Sequence, residues 1–156
     1  MLAIRHWSVR HAGPLERLYA LVERLLKAAG PVLAGIGMAR LERPVAAVER
    51  GVKGLLFDCR MCGQCALSST GMSCSMNCPK SLRNGPCGGV RQNGHCEVKP
   101  EMPCVWVEAW AGSQRMAEGH TIRNVQPAVD HRLIGRSSWL AVARGDHAKP
   151  APGPAS

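Results

Sequence analysis

Aromatic side chains are scarce in this chain: one Tyr, one Phe and four Trp among 156 residues. So few rings leave little platform for stacking bases, the usual grip on single-stranded nucleic acid. Clustered cations are missing too. Lys and Arg total 20 against 11 acids, a formal charge of +9, but they stand singly and 15 of them are Arg. Scattered charge of this kind reads as a solvated basic surface rather than a nucleic-acid footprint. It suits an acidic partner protein or an anionic cofactor.

Long apolar runs are absent, so no membrane span is expected. The N-terminus MLAIRHWSVRHAGPLERLY interrupts its apolar residues with Arg and His, and no secretory leader is read there. These absences point to a cytoplasmic chain, where disulfides are disfavoured. The chain is also too short for eight βα units, which need about 250 residues. It holds no GxGxxG phosphate loop.

Cysteine is absent before Cys59 and after Cys104, and eight stand between. Their order is Cys59-x2-Cys62-x2-Cys65-x8-Cys74-x3-Cys78-Pro79, then Cys87, Cys96 and Cys104. Two residues between thiols is an interval that lets one turn of backbone aim both sulfurs at one metal. Zinc fingers use two separated CxxC pairs, whereas this block opens on a triple and reaches a Cys-Pro as bacterial ferredoxins do. The gap of eight residues departs from the ferredoxin run, so that fold is not implied. Eight thiols suit one or two [4Fe–4S] clusters, and zinc is the alternative. All eight cysteines, Cys59, Cys62, Cys65, Cys74, Cys78, Cys87, Cys96 and Cys104, are candidate metal ligands. Clustering of this kind argues against a catalytic thiol. The histidines, His95 among them, read as surface residues, and Met61, Met72, Met76 and Met102 as gap-fillers around the thiols.

Around the block the periodicity predicts helices. Pro14 to Ala29 carries an apolar stripe (Leu15, Leu18, Val22, Leu25, Leu26) suited to core or subunit contact, and Gly30-Pro31 should end it. A short helix is expected over Pro44–Arg50, ended by Gly51. Another is expected over Pro103–Met116, with Cys104 in its first turn. A last one should run from an N-cap at Ser137 to Gly145. Residues 1–13 show no clear pattern. Asn93-Gly94 predicts a type I′ hairpin with Arg91 opposite Cys96, and Cys87 and Cys96 should then serve different sites. The expected fold is a small α+β, Cys-rich, metal-stapled domain with flanking helices, a short β-hairpin and irregular loops around the metal. The expected divisions are an N-terminal helical segment (1–53), the Cys-rich domain (54–147) and a Pro/Ala/Gly-rich disordered tail (148–156).

The string CPKSLRNGPCGGVRQNGHCEVKPEMPCVWVEAW, residues 78–110, closely resembles the methylenetetrahydrofolate reductase C-terminal-like family. LIGRSSWLAVARGDH, residues 133–147, resembles that family's tail. The resemblance covers about Gly54 to His147, and residues 1–50 match no motif. It implies a small iron–sulfur subunit of the MetV type, itself non-catalytic, in an oxidoreductase complex of one-carbon (folate) metabolism. The implied partner is a flavin-dependent (β/α)8 catalytic subunit that reduces methylenetetrahydrofolate and alone carries FMN or FAD. The small subunit would relay electrons to it or stabilise it. The rival expectation is a structural zinc-binding interaction module without a redox role.

Overall fold

A computed structural model describes residues 2–146. His147 and the tail expected at 148–156 lie outside the described residues. Five α-helices carry the fold: α1 (Leu2–Arg10), α2 (Ala12–Ile36), α3 (Met38–Phe57), α4 (Val105–Ser113) and α5 (Ser138–Arg144). Single-turn 3-10 segments at Leu67–Ser69, Ser75–Asn77 and His131–Leu133, and a longer one at Gly119–Arg123, punctuate the loops. None of the described helices is long and apolar enough to cross a membrane.

Residues 2–57 are almost wholly helical, well beyond the two helices expected there. Gly30-Pro31 does not end α2, which continues to Ile36. Gly30 is there for packing. A Cβ on it would lie 2.6 Å from the carbonyl oxygen of Ala143, so the glycine lets α5 press directly on the α2 backbone. Pro31 removes one helical N–H, and the helix tolerates it. The break comes at Gly37, whose φ of 103° only glycine adopts readily. Gly51 likewise lies inside α3, which runs on to Phe57.

The expected α+β fold with a β-hairpin is overturned. Among the described residues there is no strand and no sheet, only isolated antiparallel bridges, Val90 to Cys96 and His95 to Pro103. A type I′ turn needs positive φ at both central residues, and only Gly94 has it. Arg91 pairs with His95 instead of Cys96, its N–H donating at 2.9 Å, around a three-residue loop. Pro100 and Pro103, which lack N–H groups, flank the return path and leave no ladder to extend.

The metal-stapled architecture is overturned with it. Among the described residues no three His, Cys, Asp or Glu side chains are grouped so as to hold a metal ion. Apolar packing holds the helices instead. Ala12, Phe57, Leu67, Met72 and Met116 form the central cluster, with Leu15, Tyr19, Leu56, Cys65 and Cys74 against it. α2 lies along α5, and α1 contacts both α3 and α4. Ser8 Oγ donates to Leu56 O at 2.6 Å, and His6 Nδ1 meets Glu108 Oε1 at 2.6 Å. Burial raises the Glu108 carboxyl, against the pull of His6 and Arg5. Glu16 on α2 accepts the N–H groups of Ala117 and Glu118 at 2.7 and 2.9 Å, pinning the chain just after α4. α5 matches its expected caps: Ser137 Oγ accepts from Leu140 N, and Gly145 closes it with φ 79°.

Candidate thiol centre

The end of α3 delivers the first thiol. Asp58 turns left-handed, its N–H bonds Gly54 O at 3.0 Å, and the Cys59 N–H bonds Lys53 O at 3.2 Å. This pairing closes the helix and sends Cys59 back over its last turns. The loop then carries Cys62 and Cys65 inward, and Cys74 opens the 3-10 turn Ser75–Asn77. All four, Cys59, Cys62, Cys65 and Cys74, line one small cavity of about 20 Å³, together with Lys53 and Arg83. That volume holds one water-sized body, so the side chains are packed inward.

Each sulfur of the group has a polar neighbour. Tyr19 Oη donates to Cys65 Sγ at 3.1 Å. Arg83 Nη1 lies 3.8 Å from Cys62 Sγ, while its other nitrogens donate to Gln64 O and Pro127 O. The Met61 N–H reaches Cys59 Sγ at 3.4 Å. Backbone N–H groups of Met76 and Arg60 face Cys74. The neighbouring Cys74, with burial, pushes the Cys59 thiol up, while Cys59 and the backbone N–H groups hold Cys74 below the ordinary thiol range.

Beneath the thiols lies a buried cation. Lys53 is 1% exposed, with Nζ 2.7 Å from Glu49 Oε1 and 2.8 Å from Ser138 Oγ. The rings of Tyr19 and Trp139 flank it, with centroids 5.3 and 5.4 Å away. Burial works against its charge, but Cys65, Tyr19 and Glu49 together hold it above the usual lysine range. Glu49 accepts from Ser137 Oγ, Ser138 Oγ and Trp139 N as well. Burial alone would raise its carboxyl, yet Lys53 and the two hydroxyls bring it below the usual value. Burial first, and Cys65 next, push the Tyr19 hydroxyl well above the phenol range, so it stays a donor.

The other four thiols separate into two pairs. Cys78 and Cys96 share a cluster with Met102 and Val105. Cys87 packs against Cys104, Trp106 and Ala109. Cys104 is the N-cap residue of α4 rather than a residue of its first turn. Cys87 and Cys104 also border a larger, mainly apolar cavity of about 520 Å³ walled by Trp106, Trp110 and Ile122. All eight cysteines are free thiols.

The residues around the thiols that sequence reasoning missed are Tyr19, Glu49, Lys53, Arg83, Ser137 and Ser138. The one available signal was the Glu49/Lys53 spacing of four on a helix.

A family model described as methylene-tetrahydrofolate reductase C terminal matches residues 38–132, more than half of the chain and all eight cysteines. The chain belongs to that family. Membership associates the chain with folate metabolism. No curated protein and no solved structure matches it. The matched span contains α3 with Glu49 and Lys53, the thiol loops and α4. It leaves out α1, α2 and α5, the last two of which supply Tyr19 and Ser138 to the family's Cys-rich part.

Proposed function

We propose that this chain is the Cys-rich companion of a flavin-dependent methylenetetrahydrofolate reductase and holds one [4Fe–4S] cluster on Cys59, Cys62, Cys65 and Cys74. The carrying observation is the convergence of those four thiols on one cavity, lined also by Lys53 with its partner Glu49 and by Arg83 and Arg136. The donor chemistry fits: four thiolates with a net negative cluster call for Lys53, Arg83 and N–H donors nearby. The closed volume means that the side chains must swing apart to admit it. As they stand, the described side chains offer no group of three that could hold a metal ion, so zinc too would need the thiols to move. The remaining thiols pack in two separate clusters, Cys78 with Cys96 and Cys87 with Cys104, which supports a single cluster. When bound, such a cluster supplies one-electron transfer. The chain's own part is to set its charge environment and exclude water, while folate and flavin chemistry belongs to the partner. Zinc in the same thiols, stiffening an interaction module, is the rival.

The test is metal and sulfide analysis of the anaerobically purified full chain with its copurifying flavoprotein. About four irons per chain are expected, with a reduced-state EPR signal that fades on adding oxidised flavoprotein. Substituting Cys62→Ser or Cys74→Ser should abolish the iron, while Cys87→Ser and Cys96→Ser should retain it. A colourless chain carrying only zinc would remove the electron-transfer role. About eight irons per chain would overturn the single-cluster reading.

A further inference from the structure

Helix α2 has two apolar faces, and the fold uses one. Leu15, Tyr19 and Ala12 turn inward to the central cluster, and Gly30 seats α5. On the other side Pro14, Leu18, Leu21, Leu25, Ala28 and Val32 are all exposed. Leu18, Leu21, Leu25 and Val32 retain 55, 52, 61 and 67% of their surface. The intervals are four, three, four, three and four residues. That is the 3.5-residue repeat of a coiled-coil seam, held over more than two heptads. At 100° per residue the seam lies well round the helix from Ala12 and Tyr19, so it is a separate face rather than the rim of the core.

The seam has a charged margin. Arg17 and Arg24, one heptad apart, run along one side; both are exposed, and among the described residues neither has an ion-pair partner. The opposite margin holds Val22 and Ala29, which carry no charge. A second copy of this helix cannot satisfy that pattern. Antiparallel pairing sets the Arg17/Arg24 margins against each other, and parallel pairing sets them against Val22 and Ala29.

We propose that the outer face of α2 docks an amphipathic helix of another protein, one with an apolar seam bordered by carboxylates that pair with Arg17 and Arg24. The reductase subunit of the proposed function is where such a helix is expected, and the identity of the partner rests on that reading; the chemistry of the surface does not. The small residues Ala28 and Gly35 let the partner helix approach closely near the end of α2, while Leu18, Leu21 and Leu25 provide the knobs.

The test uses the full chain and two synthetic helical peptides with identical Leu seams, one bordered by Glu and one by Lys. Binding followed by calorimetry should favour the Glu peptide by at least tenfold, a preference that falls with added salt. Leu21→Glu with Leu25→Glu should weaken the Glu peptide about a hundredfold. Arg17→Glu with Arg24→Glu should reverse the preference. Val125→Glu, an exposed apolar residue off the helix, should change nothing, and circular dichroism should show all variants folded. Equal affinity for both peptides, or sedimentation of the free chain as a dimer that Leu21→Glu/Leu25→Glu disrupts, overturns the proposal. A parallel copurification separates it from the functional reading. If the flavoprotein is retained equally by wild type and the Leu pair variant, this surface is wrong and the function stands. If wild type never retains it while the Glu peptide binds as described, the function is wrong and the surface stands.

Discussion

Tyr19 is the only tyrosine of the chain, and its hydroxyl points at a sulfur. A donor to a thiolate favours the more negative state, so Tyr19→Phe should lower the midpoint potential of a bound cluster by roughly 40 mV. That figure takes about 1 kcal/mol for the bond and about 59 mV per tenfold for one electron. Redox titration checks it, and the apo chain should lose about 1 kcal/mol in urea unfolding. Glu49 gives a prediction in pH. Its folded carboxyl lies below the ordinary value of 4.5. Its contribution to stability is therefore fully present above about pH 4.5 and lost as pH falls through the lower folded value. Glu49→Gln should flatten that part of the acid profile. It should also lose about 3–5 kcal/mol at neutral pH by leaving Lys53 buried without its carboxylate. Thermal melts across pH 3–7, within the range where these carboxylates titrate, decide both. Neither residue was legible as a partner of the thiols. Cysteine spacing is local and can be read along the chain, whereas Tyr19 meets Cys65 across 46 positions and Ser138 meets Lys53 across 85.

The helices show where local rules were enough and where packing overrode them. Ser137 and Gly145 bound α5 as capping chemistry requires, because both act within one turn. Gly30-Pro31 carries the same kind of stop signal and is ignored, because α5 lies on Gly30 and outweighs the lost hydrogen bond. The stripe read as one face of α2 is divided: Leu15, Val22 and Leu26 are half-buried, while Leu18 and Leu25 are exposed. Asn93-Gly94 turns the chain but builds no hairpin, since a ladder needs partners that the flanking prolines and glycines do not offer. Two glycines in α2 make the distinction measurable. Gly35 has open space where a Cβ would stand, so Gly35→Ala should stabilise by up to about 1 kcal/mol through helix propensity and chain entropy. Gly30→Ala gains the same propensity but drives its methyl into Ala143 O and should lose about 1–3 kcal/mol net as α5 is pushed away. Denaturant midpoints of the two variants should move in opposite directions. A shared upward shift would mean that α5 is not seated on α2.

At the scale of the molecule, the matched span 38–132 is less than what folds. Lys53 sits between a ring from α2 and a ring from α5, and Glu49 is capped by the two serines that begin α5. Cutting the chain to residues 38–132 removes Tyr19, Ser137, Ser138 and Trp139 together. The Glu49–Lys53 pair is then open on two sides and the central cluster loses Ala12. The three helices that pack on α3, namely α1, α2 and α5, go with the cut, and eight reduced thiols with no bound centre add little to replace them. The fragment 38–132 should therefore lack a cooperative unfolding transition and the near-ultraviolet signal of Trp106 and Trp110, while the described span 2–146 keeps both. If cluster assembly on Cys59, Cys62, Cys65 and Cys74 supplies folding free energy, as metal binding does in small domains, loading the fragment anaerobically with iron and sulfide should restore part of that signal. A fragment that unfolds cooperatively without any metal would mean that the terminal helices are accessories and that the buried Lys53 network does not join them to the thiols.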